Sequence, residues 1–195
     1  PDFRGFDWRY LYGLCLNSPS EVLATNATGF LSVDYSPDGR TVALGTGDGL
    51  VELFDAQTRQ LIKRWRTHPG ATDYLAFYPR NANWLATASG DDGILKLWDI
   101  VRERVVISTN VVRGMWPDFA FSPGGRFLAT RATDGHSINL WEVHADATAA
   151  MPTLTLRTNL GYWGPATFTP DERTLVVCNQ MTGGIQFNPA VYDLA

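Results

Sequence analysis

Short stretches in which apolar and polar residues alternate recur along this chain. Val51-Glu52-Leu53-Phe54, Leu95-Lys96-Leu97-Trp98 and Ile138-Asn139-Leu140-Trp141 each put apolar side chains on one face with a period of two. That period predicts half-buried strands. Before each comes a small apolar segment, such as Leu85-Ala86-Thr87-Ala88 or Phe127-Leu128-Ala129-Thr130. After each come further apolar residues: Leu61-Ile62, Val105-Val106-Ile107 and Leu154-Thr155-Leu156. Asp48-Gly49, Asp92-Gly93 and Asp134-Gly135 sit between these runs as turn dipeptides, because Gly accepts positive φ and Asp hydrogen-bonds its own backbone. The period changes only near the start. Trp8, Leu11, Tyr12 and Cys15 fall at i, i+3, i+4 and i+7, which predicts a short amphipathic helix over 7–16 within a lead-in of residues 1–19.

The strand pattern repeats as a unit. Val33-Asp34-Tyr35-Ser36-Pro37, Leu75-Ala76-Phe77-Tyr78-Pro79, Phe119-Ala120-Phe121-Ser122-Pro123 and Ala166-Thr167-Phe168-Thr169-Pro170 are four copies of one phrase, with prolines 42, 44 and 47 residues apart. A second phrase follows each copy: Leu53-Phe54-Asp55, Leu97-Trp98-Asp99, Leu140-Trp141-Glu142 and Val191-Tyr192-Asp193. Four antiparallel strands in a unit of this length make one blade of a β-propeller. The fold class is therefore all-β, with four blades expected over residues 20–66, 67–109, 110–156 and 157–195.

These residues resemble the WD-repeat β-propeller family, over about 20–195. The second unit carries the resemblance best: His68 stands 11 residues before Pro79, and the unit runs through Thr87 and Asp92-Gly93 to Trp98-Asp99. The resemblance implies a hydrogen-bonded tetrad of His68, Thr87, Asp92 and Trp98 tying that blade together. No other unit has a histidine at the matching place, Phe54 and Tyr192 replace the Trp, and Glu142 replaces the Asp. Apolar packing is expected to hold those blades. Phe3-Arg4-Gly5-Phe6-Asp7-Trp8-Arg9-Tyr10-Leu11 is in turn similar to the segment before the propeller in WD-repeat serine/threonine kinases of planctomycete- and verrucomicrobia-like bacteria. That resemblance implies a kinase domain upstream.

Composition narrows the chemistry. At 195 residues with 45% hydrophobic and 12% aromatic residues, the chain can bury a core and is not disordered. A net charge of −4 argues against nucleic acid as a partner. No apolar run approaches the 18 or more residues of a membrane span. Two cysteines, Cys15 and Cys178, cannot build a disulfide framework or a four-ligand zinc site, and Cys178 in Leu175-Val176-Val177-Cys178 is expected to be a small buried hydrophobe. Gly45-Thr46-Gly47-Asp48-Gly49 looks like a phosphate loop but leads into a strand, not a helix. Ser89-Gly90-Asp91-Asp92-Gly93 lacks the spaced acids of a calcium loop. No cofactor, metal or catalytic set is expected.

Partner binding is expected on the face formed by the loops 67–72, 110–118 and 157–164 and the turns 89–93 and 133–137. Arg113, Met115, Trp116, His136, Tyr162 and Trp163 lie there, and Trp, Tyr and Arg combine wide apolar contact with polar tips. Trp116 and Trp163 have a second reading, packing between neighbouring blades. Three functions follow in order: a non-catalytic scaffold for protein or peptide partners, the docking region of a kinase, and a propeller enzyme with a central-channel site. The last needs converging acids or histidines, and nothing marks such a set. A ring of seven blades needs roughly 300 residues. With Pro1 as first residue, this chain is expected to be an open arc whose remaining blades come from a longer protein. The flanks bearing Val33, Tyr35, Val176 and Tyr192 are expected to be exposed.

Overall fold

The computed structural model describes residues 22–114, 118–144, 153–160, 165–178 and 189–194. The lead-in with its expected helix lies outside them. The described residues form strands and turns with no helix. The first sheet holds β1 (Phe30–Tyr35), β2 (Thr41–Thr46), β3 (Leu50–Asp55) and β4 (Leu61–Arg66). The second holds β5 (Tyr74–Tyr78), β6 (Asn81–Ser89), β7 (Ile94–Asp99) and β8 (Arg104–Asn110). The third holds β9 (Phe119–Phe121), β10 (Phe127–Arg131), β11 (Ile138–His144) and β12 (Thr153–Leu160). The fourth holds β13 (Ala166–Phe168), β14 (Thr174–Cys178) and β15 (Pro189–Asp193). Within each sheet the strands pair antiparallel in chain order.

The sheets stack face to face and converge on their first strands: β1 lies against β5, β5 against β9 and β9 against β13. This is the fan of a partial propeller. The pleat sends alternate side chains to opposite neighbours. Leu85 packs toward the first sheet with Ala43, Val51, Leu53, Leu75 and Phe77. Ala86 and Ala88, on the other face, pack toward the third sheet with Leu97, Phe119 and Leu128. Phe127, Ala129 and Leu140 then meet Phe168, Leu175 and Val177 of the fourth. Three successive interfaces are thus built from one repeated pattern.

The recurring Asp of the second phrase closes the turn to the outermost strand. Asp55 Oδ1 accepts the amides of Gln57 at 3.0 Å and Thr58 at 2.6 Å. Asp99 Oδ1 accepts those of Val101 at 3.2 Å and Arg102 at 3.0 Å. Each turn then needs a left-handed residue, Arg59 at φ 61° and Glu103 at φ 53°. Glu142, one methylene longer, pairs instead with Arg126 at 3.2 Å.

Tyr192 and Cys178 differ from expectation. β12 runs to Leu160, because the seven-residue β11 needs backbone partners as far as Ile138. Tyr192 faces inward against the third sheet, paired with buried Leu175, and its neighbour Val191 is the outward residue, 67% exposed. The same alternation exposes Cys178, one step beyond buried Val177. On the first sheet Val33 and Tyr35 are 63% and 60% exposed. Before the first strand, Leu23 and Ala24 lie over Val42, Leu44 and Phe54 of the first sheet.

Candidate functional site

The second sheet carries a buried polar chain on its face toward the first sheet. Trp98 Nε1 donates to Thr87 Oγ1 at 3.0 Å, and that oxygen lies 2.9 Å from His68 Nε2. His68 Nδ1 lies 2.9 Å from Asp92 Oδ2, and Asp92 Oδ1 accepts the amide of Ile94 at 3.0 Å. The set fits a neutral imidazole, with Nδ1–H donating to Asp92 and Nε2 accepting the Thr87 hydroxyl. Burial holds the His68 pKa below its ordinary value, and Asp92, pulling the other way, does not overcome it. His68, Thr87 and Trp98 are all buried, so this chain joins a loop, two strands and a turn rather than meeting a ligand. Trp65 of the first sheet caps it edge-on, 6.1 Å from Trp98.

The third sheet keeps part of the same device. Trp141 Nε1 donates to Thr130 Oγ1 at 2.9 Å, while Val112 stands where the histidine would be. The signal was in the spacing: Trp141 follows Thr130 by 11 residues, as Trp98 follows Thr87. The first sheet has Leu44 and Phe54 at the matching positions and builds its polar contact elsewhere, with Asp48 Oδ1 accepting Thr46 Oγ1 at 2.7 Å and Thr28 Oγ1 at 3.1 Å.

Further hydrogen bonds tie together the loops above these contacts. Thr67 and Thr72 join their hydroxyls at 2.8 Å, and Lys96 Nζ donates to the Thr67 carbonyl at 2.6 Å. The Asp91 carboxylate accepts the amide of Ala71 at 2.9 Å and fills the space over Gly70 that a Cβ would need. Asp73 accepts the amide of Gly90 at 2.7 Å. Loop 67–72 and turn 89–93 are therefore one surface. The next loop docks on it: Gly114 donates its amide to Gly90 at 2.8 Å, and Arg113 Nε donates to the Asp91 carbonyl at 3.0 Å.

Arg113 and His136 are both exposed and sit on adjoining segments. Gly135 lies against Val112, the residue before Arg113. The turn that presents His136 is fixed by Asp134, which accepts the amides of His136 at 2.8 Å and Ser137 at 3.0 Å. These hydrogen bonds, the Ser137 hydroxyl first, hold the Asp134 carboxyl below its usual range. Met115, Trp116, Tyr162 and Trp163 lie outside the described residues. Between the third and fourth sheets Asp118, Thr130, Arg131 and Ala166 line a cavity of about 10 Å³, room for about one water. Burial there raises the Asp118 pKa, opposed by Arg131. Among the described residues no group of three or more His, Cys, Asp and Glu side chains could hold a metal ion.

Residues 15–55 and 59–99 match the family description "WD domain, G-beta repeat". Relatives include a WD repeat-containing protein of Synechocystis, 29% identical over 79% of this chain and 43% of its own length. Pre-mRNA-processing factor 19 of Oryza sativa is 30% identical over 63% of this chain and 23% of its own length. A Periodic tryptophan protein 2 homolog of Dictyostelium discoideum is 28% identical over 57% and 12%. The chain thus spans less than half the length of these curated relatives. A chain in the crystal structure of a mitotic checkpoint complex superposes with a TM-score of 0.62 at 18% identity, over 80% of this chain and 47% of that one. These matches support a WD-repeat family, and the all-β arc is a partial propeller.

Proposed function

We propose, from the WD repeats and the hydrogen-bonded loop surface above them, that this chain is a non-catalytic scaffold for protein or peptide partners. The partners dock on the face formed by loops 67–72, 110–118 and 157–164 with turns 89–93 and 133–137. The observation that carries this reading is Arg113. Its side chain is exposed, yet its loop is pinned to turn 89–93 through Nε and through the Gly114 amide. A preorganised arginine loses little entropy on binding, and Arg is among the residues enriched at binding hot spots. His136 on the adjoining turn extends the same surface, and Met115, Trp116, Tyr162 and Trp163 are proposed to complete it.

The exposed Leu31, Val33 and Tyr35 on the first sheet support a longer arc, in which further blades of a larger protein cover that flank. The Phe3–Leu11 lead-in favours a second reading, in which the arc is the docking region of a WD-repeat serine/threonine kinase.

The test is a paired substitution, Arg113→Ala with Trp116→Ala, assayed by co-purification of proteins bound to the tagged chain. The scaffold reading expects the bound proteins to be lost while the urea midpoint stays where it was. Unchanged capture by the doubly substituted chain would remove this face from the proposal.

A further inference from the structure

Three of the four sheets open with a turn in which a hydroxyl residue precedes proline. In the first, Ser36 Oγ donates to Asp38 Oδ1 at 2.6 Å, the Arg40 amide donates to the same oxygen at 3.1 Å, and Ser36 Oγ accepts the amide of Thr41 at 2.9 Å. In the fourth, Thr169 Oγ1 donates to Asp171 Oδ1 at 2.5 Å, the Arg173 amide donates there at 3.1 Å, and Thr169 Oγ1 accepts the amide of Thr174 at 3.1 Å. The carboxylate two residues after the hydroxyl accepts its hydrogen bond. The hydroxyl oxygen is thereby aimed at the start of the next strand.

The third sheet has the same turn without its carboxylate: Ser122-Pro123-Gly124-Gly125 puts glycine where Asp38 and Asp171 stand. Ser122 is fully buried and still accepts the amide of Phe127 at 2.9 Å. Its hydroxyl donates to Glu172, a residue of the fourth sheet's own turn. The Gly124 amide donates to the same Glu172 Oε1 at 2.6 Å. A Cβ on Gly124 would lie 2.7 Å from Glu172 Oε2, so the borrowed carboxylate fills the space a local side chain would use. Glu172 reaches it from a left-handed backbone, φ 57°, which non-glycine residues seldom adopt.

We propose that Glu172 is a trans-acting turn carboxylate. It performs for the third sheet what Asp38 performs within the first, and in doing so fastens the fourth sheet to the third. The second sheet grips the same turn from the other side. Tyr78 occupies the hydroxyl position of its own unit but donates across the interface to the Gly125 carbonyl at 3.0 Å, and its ring fills the space over Gly125. The turn 122–125 is therefore a keystone between three sheets, and one carboxylate adds a polar tie to the apolar packing that seats the fourth.

The test uses the whole chain with Glu172→Ala, Glu172→Gln, Gly124→Asp and the double substitution Gly124→Asp/Glu172→Ala. Amide exchange at Gly124, Phe127 and across β14 is followed together with the urea midpoint. Glu172→Ala is expected to speed exchange at Gly124 by at least about tenfold, through loss of a hydrogen bond to a charged group, and to speed exchange in β14. Gly124→Asp alone is expected to lower the midpoint, because two carboxylates would compete for one site. The double substitution is expected to return Phe127 exchange toward the original rate while β14 stays fast, since the local turn is repaired and the tie to the fourth sheet is not. Additive effects of the two substitutions, or β14 exchange indifferent to Glu172→Ala, would overturn the proposal. Should the alanine variant not fold, Glu172→Gln, which keeps the shape, is read by the same exchange rates.

Discussion

Replacing Thr87 by valine removes one hydroxyl and almost no volume, yet that oxygen joins two buried groups. It accepts from Trp98 Nε1 at 3.0 Å and lies 2.9 Å from His68 Nε2. Without it an indole N–H and an imidazole nitrogen are left unpaired in a dry interior. Each such group costs roughly 1–3 kcal/mol, so Thr87→Val is expected to destabilise by about 2–6 kcal/mol. The third sheet supplies the internal control. Among the described residues Thr130 Oγ1 accepts from the half-buried Trp141 indole alone, at 2.9 Å, so Thr130→Val is expected to cost about 1–2 kcal/mol. Urea denaturation reads both, and with a slope of about 2 kcal/mol per molar for a small protein the midpoints should separate by roughly 1 M. A cycle with His68→Gln should show strong coupling to Thr87→Val and none to Thr130→Val, since only the first pair touches. A loss at Thr130 equal to that at Thr87, or no coupling between His68 and Thr87, would refute the reasoning.

Two further outcomes follow from the structure. His68 is held below its ordinary pKa by burial, so the folded state binds fewer protons there than the unfolded state once pH falls below about 6.5. The stability it contributes is whole above that value and is lost as pH falls toward the depressed folded pKa. His68→Gln should flatten urea midpoints between pH 7 and 5, and because Asp118 is shifted upward and acts in the opposite sense, only the difference between the two proteins is diagnostic. Separately, the open flank of Leu31, Val33 and Tyr35 should make the purified chain self-associate with rising concentration, as exposed sheet faces do. Light scattering should show Val33→Lys/Tyr35→Lys reducing that association, and a monomer at every concentration before substitution would contradict the open arc.

The fold was legible because each unit repeats its punctuation. Proline after a strand, Asp-Gly between strands and an acid after the alternating run each have a local physical cause. Asp55 and Asp99 show it by capping their turns with their own oxygens. What could not be read is whatever depends on a neighbouring sheet. Nothing local to Gly124 says that a carboxylate arrives from Glu172, and nothing local to Tyr78 says that it serves the next turn. Direction along the pleat was the other loss. Tyr192 and Cys178 each lie one step out of phase with expectation, because the alternation Leu175-Val176-Val177 is apolar on both faces and gives no inward sense until the third sheet is present. The tetrad of the second sheet was carried by its full complement of residue types, whereas its remnant at Thr130 and Trp141 was carried only by spacing.

The most direct test of the scaffold reading is hydrogen–deuterium exchange on the chain bound to a peptide selected from a random display library. Protection confined to 67–72, 89–93, 110–118, 133–137 and 157–164, and abolished by Arg113→Ala/Trp116→Ala, is the result predicted. Protection along the outer strands at 61–66, 104–109 or 153–156, or at the turn 122–125, would contradict it.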